Sequence, residues 1–169
     1  MPIKKFKKLL AFLSILTLIG FVIGPAVRAA STGTVTATVT VQNISVTVTD
    51  GTVAFGTLAN NTSAGTNPAD TQTATNNGNI TETFNIKGQD SANWTLGATA
   101  GSDIYVLKFC TATCTTPPTS YTALTLSYQT LAASVVASGT QTFDLYITTP
   151  NPSTVYTQQS VDVTVQATQ

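Results

Sequence analysis

Chemistry in this chain has to come from seven acidic residues, two cysteines and five tyrosines, because its 169 residues include no histidine. A nucleophile and its general base ordinarily recruit a histidine or a substitute for one. The acids are Asp50, Asp70, Glu82, Asp90, Asp103, Asp144 and Asp162. Two of them could cleave a glycoside only as a facing pair. They occur singly instead, beside turns or, as with Asp144 and Asp162, at strand positions expected to alternate outward into water. They read as solubilising charge. No Asp-x-Asp-x-Asp-Gly calcium loop and no glycine-rich phosphate cradle is present. The sequence therefore points away from an enzyme and implies no cofactor and no metal.

Cys110 and Cys114, in "FCTATC", are the only cysteines. Two thiols four apart in an exported chain are expected to close a small disulfide loop. Metal binding is the sharper alternative, but two thiolates without histidine make a poor tetrahedral set. Five Asn-x-Ser/Thr sequons, at Asn43, Asn60, Asn61, Asn79 and Asn93, are candidates for glycosylation.

Export itself is read from the first 29 residues. Lys4, Lys5, Lys7 and Lys8 precede an uncharged apolar stretch, Gly24-Pro25 interrupts it, and Val27-Arg28-Ala29 supplies a cleavage context. That is the layout of a secretory signal peptide, and the run is short for a membrane span. Cleavage after Ala29 would remove five of the seven basic residues, leaving Lys87 and Lys108 against seven acids and a net charge of −5. Such a surface has no basic stripe for nucleic acid. A secreted, cell-surface location is expected, with no stable membrane span after cleavage.

These groups must be positioned by strands. Apolar and polar residues alternate repeatedly beyond residue 30, and helical spacing is not seen. Runs at 52–55, 72–75, 80–87, 93–98, 104–109, 123–128, 140–148 and 160–167 are separated by turn-rich stretches such as "NNTSAGTNPAD" and "TTPNPST". Eight to ten short strands predict an all-β fold, a single antiparallel β-sandwich of jelly-roll or immunoglobulin-like type. Phe143, Leu145 and Ile147 share a face, as do Leu124, Leu126 and Tyr128, and as do Val161, Val163, Val165 and Ala167. "IYVLKF" is apolar on both sides and predicts a central strand.

The first 25 or so residues beyond the signal raise a separate question. Val35, Ala37, Val39 and Val41 alternate with threonine, then the phase slips at Gln42-Asn43 and continues on Ile44, Val46 and Val48. A one-residue slip reverses the faces, so it marks a turn, a bulge or two distinct strands. Residues 30–43 are read either as the sandwich's own first strand or as a donor strand that completes a sheet in a neighbouring copy. The domain proper is then 44–169.

Signal peptide, Val/Thr strand, "VAFGTL" at 53–58, a polar loop and "NWTLGA" at 93–98 together resemble small secreted β-sandwich proteins of prokaryotic surfaces. One such group is the camelysin-type biofilm-fibre and bundling-pilus subunits, and this resemblance implies polymerisation through an N-terminal donor strand. Trp94-Thr95-Leu96 resembles the name-giving tripeptide of WxL-type cell-wall-binding proteins, which implies a wall-glycan partner. The sequence thus predicts a non-enzymatic surface or fibre subunit whose partners are copies of itself or other cell-surface proteins. The alternative is a glycan-binding module in which Trp94 and the tyrosines provide a stacking platform.

Overall fold

The computed structural model describes residues 31–115 and 119–169. The signal-peptide expectation at 1–29 lies outside them. The chain divides into two units after Val39. In the first, residues 31–39 are assigned to no strand and are exposed throughout.

The second unit is all-β, with no helix among the described residues. Its strands are β1 (Val46–Thr49), β2 (Ser63–Gly65), β3 (Gln72–Asn76), β4 (Glu82–Lys87), β5 (Thr95–Leu96), β6 (Ile104–Cys110), β7 (Thr122–Ala123), β8 (Gln129–Val135), β9 (Thr140–Thr148) and β10 (Thr164–Thr168). The larger, curled sheet runs β1-β3-β9-β6-β5, with β2 added on β9 and β7 on β6. The smaller runs β10-β4-β8. The pairing is antiparallel except for the short β5–β6 contact.

Alternation explains the layers. On β4, Glu82, Phe84 and Ile86 are buried while Thr83, Asn85 and Lys87 are half-buried. Phe84 and Ile86 meet Leu107, Phe109, Phe143 and Leu145 of the opposite sheet in one core. β6 is buried on both faces at Tyr105, Val106 and Leu107, as the apolar stretch before Lys108 predicts. It lies inside the sheet, with β9 on one edge and β5 and β7 on the other. β9 spans the predicted 140–148 and is the long strand around which the larger sheet is organised, pairing with β3, β2 and β6.

Several expectations are corrected. Residues 52–55 form no ladder, although Val53 and Phe55 still pack on the core. Residues 123–128 do not make a strand beyond Ala123; Leu124 is buried, but Leu126 and Tyr128 are exposed. The chain leaves the sheet there, so alternation no longer maps to faces. Asp144 does not point into water: it is 4% exposed, because the loop between β2 and β3 covers that face of β9. Glu82, read as solvated charge, is 1% exposed.

Truncating the core and truncating its margin should differ. Phe84→Ala should lower unfolding free energy by about 3–5 kcal/mol, and Val48→Ala, on half-buried β1, by about 1 kcal/mol. Chemical denaturation of both variants checks the contrast.

Candidate functional site

The core is sealed unevenly. Among the described residues, eleven partly buried hydrophobic residues pack against it, and eight of these lie on β1, β10 and the segments beside them: Val46, Val48, Val53, Phe55, Val161, Val163, Val165 and Ala167. β1 ends the larger sheet and β10 ends the smaller one, and the two approach each other. Each therefore presents one row of peptide groups that its own sheet does not use. The result is a seam between the sheets, apolar within and lined by strand edges that pair with no further strand among the described residues. Beside it, Val53, Phe55 and Ala64 help line a dent of about 150 Å³.

The arm supplies the opposite features. Val35, Val39 and Val41 are 95%, 91% and 82% exposed, and Ala37 is exposed with them. No charge interrupts residues 31–49. An alternating, uncharged, β-branched segment is made to be buried on one face of a sheet.

The chain between Val41 and β1 is held by side chains of the turn after β3. The Asn43 N–H donates to Asn79 Oδ1 at 2.8 Å, and Asn79 Nδ2 donates to the Val41 carbonyl at 2.8 Å. The Asn79 N–H donates to the Asn43 carbonyl at 3.2 Å. The Ser45 N–H donates to Glu82 Oε1 at 2.9 Å, whereas Glu82 Oε2 has no hydrogen-bond partner among the described residues. Asn77 Nδ2 donates to Thr47 Oγ1. Gly78 must lack a side chain, because a Cβ there would run into the Glu82 carboxylate and the Asn43 carbonyl. The phase slip at Gln42-Asn43 falls beyond the β1 ladder, where backbone and side-chain groups of Asn79 share the partnering of the chain.

The other end of β1 repeats the device. Gln72 Oε1 accepts from the Gly51 N–H at 2.8 Å, and Gln72 Nε2 donates to the Thr52 carbonyl at 3.3 Å.

The remaining polar groups serve as braces. Asp144 accepts from the hydroxyls of Thr66 and Thr71 and from Asn67 Nδ2, at 2.7–3.1 Å, which fixes the β2–β3 loop over β9. Its carboxylate is spent on that loop, and no second carboxylate is among its partners. Cys110 and Cys114 form a disulfide and pack with Tyr121 and Tyr146. Burial first, then the Asp144 charge, raises the Tyr121 phenol above its ordinary range. The Asp103 carboxylate accepts from the Thr154 hydroxyl at 2.6 Å, the Thr154 N–H at 2.7 Å and the Ser153 hydroxyl at 3.3 Å. These bonds, those from Thr154 foremost, hold it below the usual carboxylate range.

Trp94 is half-buried against the core, and its indole N–H donates to Ser153 Oγ at 3.1 Å. Its ring tilts against Tyr105 at 6.3 Å. Tyr105 and Tyr121 are buried, Tyr146 packs on Tyr121, Tyr128 lies beneath the Lys87 ammonium, and Tyr156 is 83% exposed. These residues do not assemble the exposed aromatic row that a stacking platform needs. All five sequon asparagines are exposed. Asn79 and Asn93 are already bonded through Nδ2, the latter to Gln159 Oε1. The seam and the Asn79 and Gln72 pairings were not foreseen from sequence; the phase slip was their one visible sign.

No family model, curated protein or solved structure matches the chain.

Asp103 gives a pH test. A carboxylate whose folded pKa is depressed stabilises the fold above its unfolded pKa, and that contribution is lost as pH falls through the folded value. The Asp103→Asn variant should therefore lose less thermal stability than wild type between pH 5 and about 2, as melting curves across that range would show.

Proposed function

We propose that this protein is an extracellular structural subunit that polymerises by strand addition. Residues 31–41 of one copy enter the seam between β1 and β10 of the next. The observation that carries this reading is the match between an exposed, uncharged Val/Thr arm and a seam where the core is half-covered and two strand edges stand open. Backbone bonds to an edge supply affinity, and alternate side chains entering the apolar interior supply register. Each valine that becomes fully buried contributes about 1.5–3 kcal/mol of transfer free energy. Charge does not oppose the approach locally, since the arm carries none.

Donor and acceptor are different surfaces of the chain, so the contact is head-to-tail and propagates as a fibre. The role is structural, not catalytic. Three of the acids act as braces: Asp144 holds a loop, Asp103 holds the Ser153–Val155 turn, and Glu82 holds the chain before β1. A secreted site of action agrees with the lysine-led apolar N-terminus and with the disulfide.

The test uses the chain from residue 30 beside one that begins at Ile44, with Val39→Asp as a point variant. The longer chain should form filaments visible by negative stain and a ladder of species by size exclusion. The truncated chain should stay monomeric and folded, and should bind a labelled peptide of residues 31–41. Val39→Asp should fold normally and fail to assemble, because it places a charge inside the seam. A long chain that remains monomeric at high concentration, with a truncated chain that unfolds, would make the arm ordinary core and end the proposal.

A further inference from the structure

We infer that Asn79 is a positioning residue for the root of the arm, its carboxamide substituting for the peptide group of a neighbouring strand. A strand residue in a parallel ladder donates to one residue of its neighbour and accepts from the residue two further on. The Asn79 carboxamide does the same around Gln42: Oδ1 receives the Asn43 N–H and Nδ2 gives to the Val41 carbonyl, both at 2.8 Å. Its own backbone N–H adds a third bond, to the Asn43 carbonyl. Three bonds from one residue hold a segment that belongs to no strand and whose residues 41–44 are exposed. Such a segment has little buried side chain to hold it, so its conformation depends on these bonds.

The chemistry is specific to asparagine. Aspartate keeps the acceptor and loses the donor, and would set a carboxylate against the Val41 carbonyl. Glutamine places the same amide one methylene further out. Glycan attachment at Asn79, within Asn79-Ile80-Thr81, uses the nitrogen that bonds Val41, so modification and positioning compete for one atom.

The consequence for assembly rests on the strand-addition reading. With the root fixed, Val41 and Asn43 are already held before the arm is joined. Without it, several more residues must be ordered at each joint, and each backbone costs about 1–2 kcal/mol to fix. Asn79 thus sets how stiff the joint between subunits is.

The experiment compares Asn79→Ala, Asn79→Asp and Thr81→Ala in the chain from residue 30. On the monomer, amide exchange at Asn43 should speed up by roughly two- to tenfold in Asn79→Ala, the loss expected of one hydrogen bond. It should stay near wild type in Asn79→Asp, which retains the acceptor. Proteolysis around Val41 should quicken in both, with melting temperature little changed. Thr81→Ala removes the sequon and should match wild type throughout. On filaments, Asn79→Ala should assemble more slowly and bend more sharply. Unchanged exchange and proteolysis in Asn79→Ala would overturn the inference, as would a Thr81→Ala variant that behaves like it. Wild-type protein that forms no filaments would defeat the strand-addition reading alone, and the monomer measurements would still decide the role of Asn79.

Discussion

An extended chain carries hydrogen-bonding groups along both edges, and a sheet of finite width leaves one such row unmatched at each end. Much of this molecule is a response to that constraint. Inside the sheets the rows are paired by neighbouring strands, most extensively on β9, which serves β3 and β2 on one side and β6 on the other. Where strands run out, side-chain amides continue the pattern. Asn79 does so before β1 and Gln72 after it. Asn76, fully buried, donates to the carbonyls of Ile80 and Val135 and accepts from the Gly78 N–H. Amide side chains in this chain are therefore structural.

The same constraint separates the finished parts of the fold from the unfinished one. Around Phe84, Leu107 and Phe143 the core is closed. Along β1 and β10 it is not, and the apolar residues there are only partly covered. Lysine or proline commonly protects such edges, yet the only lysines beyond residue 30 are Lys87 and Lys108, on β4 and β6. Neither lysine lies on β1 or β10, so these edges lack that guard.

Much of the architecture was legible because period-two alternation reports burial directly. β9 was bounded correctly since Phe143, Leu145 and Ile147 face one way along an unbroken run. β8 was missed because its pairing with β4 shifts register near Phe84, which breaks the alternation across "QTLAASV". β2, only Ser-Ala-Gly, offers no pattern at all. Asp144 was misplaced because alternation tells which face a residue takes, and not that a loop 73 to 78 residues earlier will cover that face. The arm could be recognised as strand-competent from Val35, Val39 and Val41, but pairing is a property of two segments. Asn79 showed only as a sequon, since its partners Val41 and Asn43 lie 38 and 36 residues away.

The carboxamides of Asn79, Asn76 and Gln72 neither titrate nor draw counterions, so the connections they make are indifferent to acidity and to salt across conditions that would loosen an ion pair. Their vulnerability is chemical ageing. Spontaneous deamidation converts such a donor-acceptor group into a carboxylate that can only accept, and an Asn-Gly step such as Asn77-Gly78 is where that reaction meets least steric resistance. A fold braced by amides keeps its form through changes of surroundings and yields, slowly, to its own age.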